Sequence, residues 1–154
     1  DNFASPERTY TAPKPQARAL FGKAVAVIGD LDLSGYNDLI IGSPYEGEGG
    51  VVYIYHGSSD GLSENPVQTI KASDFPNDLK TFGWSIRGET DLDDNGYPDI
   101  VVGAYASDSI MILRPVPVVK VDIEYKLSSP TIDVSNKSCS IEDKILGKTI
   151  QTVW

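Results

Sequence analysis

A block running from Phe21 to Gly42 returns 61 positions later, from Phe82 to Gly103, with 9 identities among its 22 positions. Phe21-Gly22 recurs as Phe82-Gly83, Asp30-Leu31-Asp32 as Asp91-Leu92-Asp93, and Gly35-Tyr36 as Gly96-Tyr97. Asp38 recurs as Asp99 and Gly42 as Gly103. Chance does not hold one register over so many positions, so the chain contains one structural unit twice. Stacked units of this kind bury a shared core that neither could bury alone.

Each unit reads as β. Short apolar runs lie at Ala24 to Ile28, Leu39 to Ile41, Val51 to Tyr55, Ile100 to Val102 and Ile110 to Leu113. They are rich in Val, Ile and Tyr and are bounded by Gly, Pro, Asn, Asp or Ser. Runs this short and continuously apolar suit strands covered on both faces, as in the blades of a propeller. A period near 60 is long for a blade, but insertions between strands accommodate it. A β-sandwich of irregular hairpins also explains the strands and leaves the offset unexplained.

The tail has another pattern. Val119, Val121, Ile123, Tyr125 and Leu127 alternate with Lys120, Asp122, Glu124 and Lys126, which predicts an antiparallel strand with one face in water. Arg114-Pro115-Val116-Pro117 before it reads as a boundary. The expected organisation is 1–20 as linker or the end of a preceding blade, 21–81 and 82–115 as two blades, and 116–154 as the incomplete start of a sandwich. That last stretch is far short of the roughly 100 residues a sandwich takes.

A formal charge of −9, from 22 acidic and 13 basic residues, argues against nucleic acid as a partner. No apolar stretch is long enough to span a membrane. The single cysteine, Cys139, has no partner for a disulfide within the chain; it is either a buried thiol or half of a bridge to residues elsewhere.

The aspartates concentrate in two segments, Asp30 to Asp38 and Asp91 to Asp99. Calcium takes six to eight oxygen ligands at about 2.3–2.6 Å. Side chains at loop positions 1, 3 and 5 converge from one side of a tight turn, glycine at position 6 permits the reversal, and position 7 offers its carbonyl. An EF-hand closes with glutamate at position 12, where these loops have Ile41 and Val102, so an EF-hand is excluded. Instead Asp38 and Asp99, at position 9, stand directly before an apolar strand, and each loop closes within a hairpin. Asp and Gly also favour turns for local reasons. A turn does not require three carboxylates at matched places twice, because their repulsion is unrelieved without a cation. The loops differ at position 5, where Asn95 is a better oxygen ligand than Ser34; Asp94, at position 4, should point outward.

Other candidates carry less. His56 and Cys139 show no metal or catalytic spacing, and His56 reads as a loop residue. Trp84 reads as blade core. Asn136-Lys137-Ser138 fits a glycosylation acceptor, meaningful only in a secreted chain.

Phe-Gly, an aspartate loop, then Gly42-Ser43-Pro44 or Gly103-Ala104-Tyr105 resembles the FG-GAP repeat of integrin α subunits, from about Phe21 to Arg114. Arg114-Pro115 and the segment leading to Cys139-Ser140 resemble, more weakly, the start of the thigh domain. The resemblance implies the last two blades of a seven-bladed, all-β propeller followed by the beginning of an Ig-like β-sandwich. It implies two calcium ions, one held by Asp30, Asp32, Ser34, the Tyr36 carbonyl and Asp38, the other by Asp91, Asp93, Asn95, the Tyr97 carbonyl and Asp99. It further implies a cell-surface adhesion receptor, extracellular on a single-pass parent, that pairs with an integrin β subunit and meets matrix or cell ligands through earlier blades. Ser34 departs from the strongest ligand pattern, and Tyr105 stands where proline is usual. The competing readings are the accessory propeller of a hydrolase, such as a phospholipase acting on lipid anchors, and a calcium-dependent lectin-like repeat protein. The first would need a catalytic domain with clustered His or zinc ligands upstream, and the thigh-like tail disfavours the second.

Overall fold

The computed structural model describes residues 8–119, 139–143 and 148–152. The chain is all-β: nine strands and two single turns of 3-10 helix, with no α-helix among the described residues. It divides into two compact units, Asp1–Val118 and Val119–Trp154.

In the first unit β1 (Ala24–Val27), β2 (Leu39–Ser43), β3 (Val51–Tyr55) and β4 (Gln68–Lys71) form a four-stranded antiparallel meander. A three-stranded meander follows, built of β5 (Phe82–Thr90), β6 (Asp99–Ala104) and β7 (Ser109–Leu113). The two sheets pack face to face as successive blades. Ile40, Val52 and Ile54 of the first meet Phe82, Ile100, Val102 and Ala104 of the second in one core, capped by Ala72 and Leu79. Strand residues alternate between faces, so Ile41, Val51, Tyr53 and Tyr55 line the other side of the first sheet. There Tyr10, Phe21 and Leu62 cover them. The continuously apolar runs of β2 and β3 are thus buried on both faces, as expected of inner blade strands. Tyr53 donates to the buried Glu46 carboxylate. Burial first, and then that bond, pushes its hydroxyl well above the ordinary tyrosine range.

Glycine sets the distance between the blades. A Cβ on Gly42 would lie 2.1 Å from the Gly83 carbonyl oxygen, so β2 and β5 touch through bare backbone. Gly83 itself sits at φ +90°, open to few residues but glycine. The preceding Phe82 is fully buried and packs on Phe75 with ring centroids 5.8 Å apart.

Two strands, β4 and β5, carry no continuous apolar run and so leave no mark in the sequence pattern. β4 is exposed and polar, and β5 alternates and bulges between Phe82 and Ser85 and again between Arg87 and Thr90. Trp84 is a correction: it is half-buried at the surface, not core. Its ring meets Tyr105 at a tilt, with centroids 4.6 Å apart, and Tyr45 edge-on, with the Lys23 ammonium 4.2 Å from its centre.

In the second unit β8 (Cys139–Asp143) pairs antiparallel with β9 (Lys148–Thr152). The two-stranded ladder seen among the described residues does not establish an Ig-like sandwich. The alternating stretch at 120–127, the Asn136 acceptor and the Cys139 side chain lie outside the described residues.

Candidate metal centre

Each aspartate loop joins the first two strands of its blade, β1 to β2 and β5 to β6. Glycine at position 6 reverses the chain at φ +92° in Gly35 and +89° in Gly96. Position 4 is left-handed too, at φ +56° in Leu33 and +57° in Asp94. The turn points its backbone N–H groups inward at the first aspartate. Asp30 accepts from Ser34 and Gly35 at 2.9 and 2.6 Å, and Asp91 accepts from Asn95 and Gly96 at 3.2 and 2.7 Å. Position 5 caps the turn: the Ser34 hydroxyl accepts from the Tyr36 amide at 3.4 Å, and Asn95 Oδ1 from the Tyr97 amide at 2.8 Å.

The carboxylates converge as the spacing requires. One oxygen each from Asp30, Asp32 and Asp38 lie within 4.8 Å of one another, and so do those of Asp91, Asp93 and Asp99. Asp94 is exposed, as its position predicts. Asp38 and Asp99 are each only 1% exposed, anchored where loop becomes strand. Asp38 Oδ2 accepts from Leu31 N at 2.9 Å and Asp99 Oδ2 from Leu92 N at 2.8 Å. Asp38 Oδ1 also accepts from Gly57 N at 2.8 Å. Asp99 Oδ1 is buried and finds no donor among the described residues. A buried acceptor without a donor costs free energy, and a cation among the three carboxylates would relieve it. An all-oxygen donor set around such an atom fits a hard divalent cation.

Two supporting side chains were not legible in the loop spacing. His56 Nδ1 lies 3.1 Å from Asp32 Oδ2, and Arg114 Nε lies 3.4 Å from Asp93 Oδ2. Both directly follow the third strand of their blade, after Tyr55 and after Leu113. A basic side chain repeated at that place was the available signal. Partial burial pulls the Asp32 carboxyl up, but hydrogen bonds from Ser34 and the charge of His56 outweigh it and leave it low. Asp91 is held low chiefly by the Gly96 amide; desolvation opposes this, and the Asn95 and Asp93 amides add to the lowering. Both carboxyls therefore stay ionised wherever a cation would meet them.

No family model matches the chain. Among curated proteins it is 46% identical over 131 residues to integrin alpha pat-2 of Caenorhabditis elegans, covering 83% of the chain and 11% of that protein. It is 43% identical over 121 residues to human integrin alpha-IIb, covering 77% of the chain and 11% of that protein. With integrin alpha-V of Gallus gallus it shares 39% identity over 128 residues, covering 81% of the chain and 12% of that protein. The chain thus spans about a tenth of the length of the relatives it matches. Sharing this much sequence with integrin α subunits of a nematode, a bird and a human, and folding into two stacked blades with an aspartate loop in each, the chain belongs to the integrin α-subunit family.

Proposed function

We propose that the chain is a calcium-stabilised part of the propeller of a cell-surface adhesion receptor, lying outside the plasma membrane and acting with a β subunit on matrix or cell-surface ligands. Blades at 21–81 and 82–115 would hold one calcium each, with the beginning of a thigh-like domain at 116–154. The ligands would be Asp30, Asp32, Ser34, the Tyr36 carbonyl and Asp38 in one loop. In the other they would be Asp91, Asp93, Asn95, the Tyr97 carbonyl and Asp99. The observation that carries the reading is the convergence of three carboxylates at the same places of two hairpins, with a buried, donorless oxygen in the second. Relatives that are integrin α subunits favour a structural and interaction module over an enzyme.

The loops' own residues do the work. The inward N–H groups hold both oxygens of Asp30 and of Asp91, which fixes these carboxylates beside the other two of their loops. Calcium there would cancel their repulsion and tie the first strand of each blade to the second. Extracellular calcium modules bind at roughly 10⁻⁴ to 10⁻³ M, and a tenfold excess over such a constant stabilises by about 1.4 kcal/mol per site. The test is a calcium titration of thermal unfolding on the full-length protein. Asp30→Ala and Asp91→Ala should each remove part of the calcium-induced rise, and Asp91→Ala more of it, whereas Asp94→Ala should leave it nearly intact. No rise with calcium, or a larger loss from Asp94 than from Asp91, would overturn the assignment.

A further inference from the structure

The two blades are not the same where their third strand leaves the sheet. Tyr55 pairs with Leu39, and Leu113 pairs with Ile100, so residues beyond the third strand correspond at an offset of 58 rather than 61. The ion pairs confirm the match: His56 reaches Asp32 and Arg114 reaches Asp93. The next residue is Gly57 in the first blade and Pro115 in the second. Gly57 donates its N–H to Asp38 Oδ1 at 2.8 Å. It comes so close to the loop that a Cβ on it would lie 2.3 Å from the Asn37 carbonyl oxygen. Pro115 has no N–H to give. The Val118 amide does not replace it, since it goes to the Tyr97 hydroxyl at 3.2 Å.

We propose that Gly57 and Pro115 set different calcium dependence in the two loops: Gly57 supplies Asp38 with a protein donor that holds the first loop without metal, whereas Pro115 withholds one from Asp99, so the second loop depends on calcium for its order. The inference rests on the reading of both loops as calcium sites. Asp38 and Asp99 are equally buried at 1% exposure and equally bonded through Oδ2. Among the described residues they differ in Oδ1, satisfied in Asp38 and without a donor in Asp99. When calcium leaves, Asp38 keeps both oxygens paired inside the fold. Asp99 regains a partner for Oδ1 only if the loop opens to water.

The experiment is amide hydrogen exchange on the full-length protein, with calcium and after chelation. Exchange in 91–99 should rise about tenfold more on chelation than in 30–38, within the range one unsatisfied buried acceptor is worth. Pro115→Ala leaves the Cβ of Pro115 as it is and restores an N–H at the residue that strand pairing aligns with Gly57. It should close most of that gap while leaving exchange with calcium bound unchanged, which a difference arising from Ser34 and Asn95 would not do. Equal rises in both loops, a larger rise in 30–38, or a gap that Pro115→Ala leaves intact overturns the inference and leaves the calcium reading standing. No rise in either loop overturns both. If Pro115→Ala does not fold, Ser34→Asn decides, because it makes position 5 the same in both loops: a gap that persists supports the inference, and one that closes overturns it.

Discussion

Asp91 is the residue on which the second loop turns. The Gly96 amide above all holds its carboxyl below the ordinary value of 3.8. A depressed carboxyl favours the folded loop above its unfolded value and loses that contribution as pH falls through the folded one. In chelator the contribution of Asp91 to the turn should therefore be present in full from neutral pH down to about 3.8 and fade only below it. Carboxyl-carbon NMR of Asp91 in the calcium-free protein checks this. A midpoint below 3.8 is expected, and one at or above it would mean the inward amides do not grip the side chain. The grip was partly legible beforehand, because Gly35 and Gly96 at position 6 announce a reversal and Asp at position 1 accepts across it. The residues that give or withhold a donor at the buried aspartates were not. Gly57 and Pro115 lie beyond the third strand, at a different offset from the loops they serve, and only strand pairing aligns them.

At the scale of the strand and its neighbour, the repeated glycines have unequal tasks. A methyl on Gly42 would run into the Gly83 carbonyl at 2.1 Å, and backbone cannot step aside. At Gly103 the obstacle is the Ser85 hydroxyl at 2.3 Å, which can rotate away. Gly42→Ala should therefore cost about 1–3 kcal/mol, as overpacking between fixed elements does, and Gly103→Ala distinctly less. Thermal unfolding of the two variants in saturating calcium separates them; equal losses would show that the blades do not meet through Gly42. The inner strands β2 and β3 were legible because burial on both faces demands unbroken apolar sequence. β5 was not, since its bulges break the alternation and one face packs on the neighbouring blade while Ser85, Arg87 and Glu89 remain exposed. β4 was hidden by its polarity, as strands at the rim of a sheet are allowed to be.

In the larger unit, β7 ends the second sheet with β6 as its one partner among the described residues, and Ile110 and Ile112 on it are 70% and 44% exposed. An unpaired strand showing apolar side chains invites another chain. The 154-residue segment by itself should associate as its concentration rises, and Ile110→Lys should suppress the association; a monomer across the range in sedimentation velocity would count against an open edge. The glycine contact carries this further. Gly42 on one blade touches Gly83 on the next, while the matching place on Gly22 meets nothing within 4 Å. Such a joint has a direction, one blade presenting its front and the other its back. Repetition of a head-to-tail joint closes into a ring if its rotation divides the circle and runs on as a helix if it does not. The pitch of that rotation is decided where two backbones touch, and a single methyl there, compounded from blade to blade, would be the difference between a wheel and a filament.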